Sequence, residues 1–270
     1  MIKTYLNGMQ KAFILLTILL SPAIAENPFE GQWVDLSHDF SEETIYWPTA
    51  DDFKKTTVFE GHNEKGFYYS AFNYTAAEHG GTHIDAPIHF AEGKNTIDEI
   101  PLNQLIGHGV VIRVSKQAAN DRNYQITVDD ILSWEKTNGK ITDGSIVLFD
   151  TGSAQFWPDK IKYMGTDERG PEAIQKLKFP GIHPKTARFL STERNIKAVG
   201  LDTPSIDFGG STHFESHQIL FKQNIFGIEN INNLKALPDK GFVVFALPMK
   251  IKDGSGGPLR VVAFIPSKNE

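Results

Sequence analysis

Between His79 and His89, three of the chain's nine histidines and one carboxylate, Asp85, fall within eleven positions. Imidazoles and carboxylates are the side chains that hold divalent cations such as zinc and manganese. His79 and His83 have the four-residue spacing of a helical metal pair. Gly80, Gly81 and Pro87, however, are poor helix formers, and no Glu follows His79, so a helical zinc-protease motif is not expected. In an extended segment, alternate positions share a face, which puts His79, His83, Asp85 and His89 on one side with only Gly81 between the first two rings. A straight strand would hold the Cα atoms of His79 and His83 about 13 Å apart. Gly80-Gly81 must therefore bend or bulge the chain if both rings are to reach one ion. The competing reading is a strand with unrelated surface histidines and a structural Gly-Gly turn; the shared parity favours ligands.

His79-Gly80-Gly81-Thr82-His83-Ile84-Asp85-Ala86-Pro87-Ile88-His89 resembles the signature of the cyclase family, which includes bacterial kynurenine formamidases and isatin hydrolases. Ser216-His217-Gln218, with Glu229 of Ile228-Glu229-Asn230 twelve residues beyond His217, is similar to the family's second ligand block. Leu247-Pro248-Met249-Lys250-Ile251 and Gly254-Ser255-Gly256-Gly257-Pro258 are similar to its C-terminal segment, so the likeness runs from about Asp35 to Ile265. The resemblance implies that His79, His83 and Asp85 hold one metal ion, that Asp85 and Glu229 bridge to a second bound also by His217, and that His89 is the catalytic acid/base. Zinc is the implied cofactor, with manganese as the alternative. Isatin hydrolases resemble a one-metal version, and Glu229 supplies the carboxylate that favours two ions. Taken alone, His217 on an amphipathic helix reads as a packing or surface histidine, while a buried Glu229 needs a partner.

Trp47-Pro48 resembles the Trp-Pro segment that lines the formamidase substrate pocket, although Thr49-Ala50-Asp51 replaces the usual Gly-Asp after it. The implied reaction is hydrolysis of an aryl formamide, N-formylkynurenine by default, as in tryptophan catabolism. Isatin-like lactam opening is the alternative, and a periplasmic metal- or ligand-binding protein without turnover is a third reading. Family likeness also implies a homodimer or larger homo-oligomer. His38, His62, His108, His183 and His213 are read as surface or packing residues. Thr151-Gly152-Ser153 lacks the nucleophile-elbow pattern and reads as a turn after a strand.

The elements that must position these groups read as an α/β domain with a mixed sheet and flanking helices; the family resemblance implies a swivelling β/β/α fold. Strands are expected in the apolar runs Val110 to Val114, Ser145 to Phe149, Ala198 to Leu201, Phe242 to Leu247 and Val261 to Ile265. The region through Phe72 and Tyr74 also reads as extended. One helix should start at the Thr127 cap, turn Val128, Ile131, Leu132 and Trp134 inward and stop before Gly139. A second should begin at Pro184 and run through Leu190. A third should follow a capping box at Thr212-His213-Phe214-Glu215 and run to about Lys222.

The composition, 40% hydrophobic and 22% charged with net charge -6, suits a globular domain and contains no extended Lys/Arg run for nucleic acid. The small-molecule substrate is therefore the expected partner. With no cysteine, disulfides and thiolate chemistry are excluded. Lys3 and Lys11, the apolar run Ala12 to Leu20 and Ala23-Ile24-Ala25 form a signal-peptide pattern over 1–25. It predicts a hydrolase domain over 26–270, periplasmic or secreted, with no membrane span after cleavage.

Overall fold

The apolar runs form the centre of a nine-stranded mixed sheet in a computed structural model that describes residues 30–267. The signal peptide expected over 1–25 lies outside the described residues. Along the chain the strands are β1 (Gly31–Asp35), β2 (Lys54–His62), β3 (Tyr68–Thr75), β4 (His83–Asp85), β5 (Ile106–Arg113), β6 (Gln125–Ile126) and β7 (Ile146–Asp150). They continue as β8 (Gly181–Ile182), β9 (Ala198–Leu201), β10 (Phe226–Glu229), β11 (Lys240–Phe245), β12 (Gly256–Pro258) and β13 (Val262–Pro266). The large sheet has the order β1-β13-β11-β5-β7-β9-β10-β4-β12. Its middle, β5, β7, β9 and β10, is parallel, and antiparallel strands close both ends.

Both faces of the parallel centre are buried, which is why its strands read as continuous apolar runs. Val111, Ile146, Leu148 and Ala198 point into one core with Ile84, Phe242 and Val244. Their neighbours Val110, Ile112, Val147, Phe149 and Val199 point into the other, where helices cover the sheet. The helices are α1 (Leu102–Leu105), α2 (Ser115–Asn120), α3 (Val128–Asn138), α4 (Lys160–Met164), α5 (Pro184–Glu193) and α6 (Glu215–Phe221). Residues from α3, α5 and α6, among them Ile131, Trp134, Leu190, Leu220 and Phe221, complete that second core.

Thr127 caps α3 through a reciprocal box with Asp130, and Gly139 follows its end. Ile131 and Trp134 are buried as expected, but Leu132 turns outward and is 38% exposed. The Thr212 capping box does not form. Helix α6 starts at Glu215 and ends at Phe221, and Phe214 occupies the capping position in a left-handed conformation without a side-chain cap. Ser211 Oγ instead accepts from the Phe214 backbone N–H at 3.1 Å.

The extended region near Phe72 and Tyr74 is a separate hairpin, β2 and β3, outside the main sheet. Val58, Phe59, Phe67, Tyr68, Tyr69, Phe72 and Tyr74 are all exposed there. Among the described residues, no helix is long and apolar enough to cross a membrane.

Candidate metal centre

The ligand segment is not one strand. Only His83–Asp85 enters the sheet; His79 precedes a turn, and His89 lies in a short 3-10 turn, Pro87–His89. The expectation of a single extended face is corrected accordingly. Gly81 makes the bend at φ +55, a left-handed conformation costly for other residues, and an added Cβ would lie within 3.0 Å of Phe40 and Thr44. The bend brings His79 back over β4, so that its Nδ1 is 2.6 Å from Asp85 Oδ1.

Pairing in the sheet supplies the next groups. Antiparallel β10 sets Glu229 directly opposite His83 and Gly227 opposite Asp85, so Glu229 joins the face that carries the strand's ligands. Helix α6 adds His217. Its Nε2 is 3.2 Å from Glu229 Oε1 and 3.3 Å from Asp85 Oδ2. His83 Nε2 is 3.1 Å from Asp85 Oδ1 and 3.4 Å from Glu229 Oε2. All five residues read from the sequence as ligands therefore converge around Asp85, although 144 positions separate Asp85 from Glu229. Two triplets have atoms close enough to share an ion: His83, Asp85 and Glu229, and His79, Asp85 and His89.

Hydrogen-bond direction tests whether these groups suit a cation. His83 Nδ1 lies 3.0 Å from the Gly81 carbonyl, which can only accept. A neutral His83 then carries its proton on Nδ1 and aims the Nε2 lone pair at two carboxylates. Among the described residues, that buried Nε2 has no hydrogen-bond partner. His217 repeats the pattern, with Nδ1 2.6 Å from Asp207 Oδ2 and Nε2 facing Asp85 and Glu229. Facing lone pairs in a buried site require a positive charge between them, and a divalent cation fits.

Without the cation, protons take that role. Burial alone would lower the His83 pKa, but Asp85 and Glu229 reverse this and push it up to about 9. Burial likewise opposes charge on His217, yet Asp207, Asp85 and Glu229 raise it well above the ordinary value. Burial would raise Asp85, whereas the surrounding histidines hold it well below the usual carboxylate range. Glu229 is pushed up by burial and by Asp85.

His89 stands apart. It is on the solvent side of the pocket, its ring stacked on His79 at 3.8 Å between centroids. Desolvation by the surrounding protein, helped by repulsion from His79, His217 and His83, lowers it to about 4 despite the attraction of Asp85. It is therefore neutral at pH 7.

The centre opens into a cavity of about 290 Å³, with walls formed by Ile45, Tyr46, Trp47, Phe90, Pro204 and Phe214. That is at the small end for ligand pockets. Trp47 meets Phe179 and Phe214 edge-on. Phe214 holds its left-handed conformation (φ +49) where its ring meets Phe90 and His217. Such strain in a non-glycine residue often accompanies function.

Sequence reading missed Asp207, which receives both the backbone N–H and Nδ1 of His217. A carboxylate ten residues ahead of a candidate ligand was its only signal. It also missed Asn230, which donates to the Gly81 carbonyl at 2.7 Å and accepts from Tyr163 Oη at 2.7 Å, bracing the bend. Among the unassigned histidines, His38 is buried and stacks on Trp157, while His183 caps α5 by accepting from the Lys185 N–H.

The family model described as "Putative cyclase" matches residues 34–208. An isatin hydrolase from Roseibium aggregatum is 32% identical over 88% of this chain and 93% of its own. A kynurenine formamidase from Bacillus cereus is 28% identical over 86% and 97%. Among solved structures, isatin hydrolase A from Labrenzia aggregata has a TM-score of 0.78 at 31% identity, covering 87% of this chain and 94% of that one. A "predicted metal-dependent hydrolase" from Bacillus stearothermophilus has a TM-score of 0.62 at 28% identity, covering 86% and 98%. With hydrolases as relatives, a binding protein without turnover is not favoured. By the span of the family match, and with histidines and carboxylates gathered as a cation requires, this chain belongs to the cyclase family of metal-dependent hydrolases.

Proposed function

We propose that this chain hydrolyses the amide bond of an aryl formamide, with an N-formylkynurenine-type compound as the default substrate. The observation that carries the reading is the set of five converging acceptor side chains at the floor of a small aromatic-walled cavity. His79, His83, Asp85, His217 and Glu229 would hold the cation, zinc first and manganese as the alternative. When bound, such a cation supplies a nucleophilic water near neutral pH and polarises the scissile carbonyl. The aromatic walls, Trp47 among them, hold the aryl ring and keep bulk water from the reacting carbon. His89, neutral and at the open side, accepts a proton as water adds to the carbonyl carbon and gives one to the nitrogen as the C–N bond breaks. The products are a free aniline and formate.

Lactam opening of the isatin type is the second reading, supported by the 32% identity to an isatin hydrolase. Cation-loaded protein assayed on formanilides, isatin and cyclic imides separates the two. Turnover of the formanilides above the other classes supports the first reading, and turnover of isatin alone replaces it with the second.

Two further readings belong to this proposal. The exposed aromatic hairpin β2–β3, marginal as an isolated pair of strands, suits a homodimer arm, which light scattering on purified protein tests. The leader pattern over 1–25 makes the protein periplasmic or secreted. The native N-terminus, read by mass spectrometry, should be Glu26.

A further inference from the structure

The glycine-rich segment after β11 lies beside the ligand turn. Ser255 Oγ is 2.9 Å from His79 Nε2 and 2.6 Å from Glu78 Oε2, and the Ser255 backbone N–H donates to the same Glu78 oxygen at 3.0 Å. The approach is close: a Cβ on Gly256 would sit 2.5 Å from His79 Cε1 and 3.0 Å from its Nδ1. Only glycine at position 256 leaves room for the His79 ring over Asp85.

A hydroxyl has one proton to give. A Glu78 carboxylate can only accept, so the Ser255 proton points to Glu78 and Ser255 Oγ must accept from His79. His79 Nε2 therefore carries a proton whether or not a cation is bound. Nδ1, which faces Asp85 Oδ1 at 2.6 Å, is the atom left to bind. His83 and His217 are held the opposite way round, Nδ1 engaged by Gly81 O and Asp207, and Nε2 free for the ion.

We propose that Ser255 and Glu78 are positioning residues that lock His79 as the Nε2–H imidazole, so that it binds the cation through Nδ1 while His83 and His217 bind through Nε2. This inference rests on the metal-centre reading and assigns that site its ligand atoms. Partners of this kind fix ring orientation and tautomer, and their loss typically costs about 10–100-fold in metal affinity.

The test uses full-length protein with 15N-labelled histidine, loaded with zinc, and long-range 15N–1H correlation spectra. A His79→Gln variant assigns the His79 signals. The expected spectrum shows His79 protonated at Nε2 and zinc-bound at Nδ1, against Nε2-bound His83 and His217. Zinc affinity, read by competition with a chromophoric chelator, should fall about 10–100-fold in Ser255→Ala and return in Ser255→Thr, which keeps the hydroxyl. Circular dichroism and thermal melting check that each variant is folded. His79 bound through Nε2, or full zinc affinity in folded Ser255→Ala, overturns the proposal. Wild-type protein that takes up no zinc or manganese overturns the metal reading instead, a result that the chelator titration gives on its own.

Discussion

The floor of the pocket and its wall are built in opposite ways. The centre of the floor, His83, Asp85 and Glu229, is set by sheet register: β4 lies between β10 and β12, so His83 and Asp85 cannot shift without breaking pairs on both sides. His79 and His217 are brought to it by the Gly81 bend and by α6. The wall is set by loops and turns, with Trp47 before a turn, Phe90 after the 3-10 turn and Phe214 ahead of α6. A ladder fixes atoms within fractions of an ångström, as ion binding requires, and loops can change without disturbing it. This division fits a chain whose relatives include both isatin hydrolases and kynurenine formamidases. Substitutions in the floor should abolish chemistry, and those in the wall should redirect it.

The largest effect is expected from His83→Ala. It removes a buried candidate ligand from the centre of the floor and leaves Asp85 and Glu229 facing each other. Cation affinity should fall by more than the roughly 100-fold that loss of a mere outer partner can cost, and turnover should vanish with it. Metal analysis of the purified variant beside an aryl-formamide assay measures both. Retained cation with retained turnover would mean that the floor is not the metal centre.

His89→Ala tests the boundary between floor and wall. His89 is in reach of His79 and Asp85, so it could act as a ligand, yet it sits on the solvent side, stacked on His79. As the proton carrier, its loss should leave cation content nearly unchanged while turnover drops about 10²–10⁴-fold. Equal loss of cation in His89→Ala and His83→Ala would make His89 part of the floor.

A smaller effect belongs to the wall. Trp47→Ala should raise KM about tenfold, the equivalent of ~1.4 kcal/mol of lost contact, with kcat and cation content little changed. The ratio of activity on formanilides to activity on isatin should move as well. A kcat collapse at unchanged KM would place Trp47 in the chemistry rather than in substrate binding.

The same division governs how much was legible in the sequence. The apolar runs of β7, β9 and the second half of β5 were readable because burial on both faces leaves no polar interruption. The half-buried β11 and β13 were readable from their β-branched and aromatic residues. The convergence of His79, His83, Asp85, His217 and Glu229 was legible only through the likeness of two short segments to the cyclase family. Spacing alone tied neither His217 nor Glu229 to the first segment, because sheet pairing and α6 bring them there. Asp207 was not legible: its role depends on a contact across ten residues that no periodicity marks. The bend expected at Gly80-Gly81 falls at Gly81, φ +55; the departure from a single extended face that parity did not show is the 3-10 turn Pro87–His89 that carries His89 off the strand. The α6 start was misread because a capping box is a local preference, and the left-handed Phe214 that replaces it is held by tertiary packing against Phe90, Trp47 and His217. Leu132 faces outward because helix phase is set by Ile131 and Trp134, whose positions in the core leave no third inward direction.

The smallest expected effect separates the cation from the protons that replace it. In cation-free protein, His83 has a folded pKa of about 9 against an ordinary 6.5, because Asp85 and Glu229 outweigh its burial. A raised imidazole pKa contributes stability that is full below about 6.5 and is lost as pH rises through about 9. His217 is shifted in the same direction. Glu229 adds to the trend: its raised pKa means that ionising it in the fold costs stability as pH climbs above the ordinary carboxylate range. Asp85 works at the other end, where its depressed pKa makes its contribution fade only in strong acid. The melting temperature of chelator-treated protein should therefore fall between pH 6.5 and 9. Cation-loaded protein should hold nearly level over the same window, since bound ligands are already deprotonated and acid, not base, competes for them. Thermal melts of both forms across that range measure the difference. Parallel curves would show that the floor does not exchange protons for a cation, and the lone pairs of His83 and His217 would then need another partner.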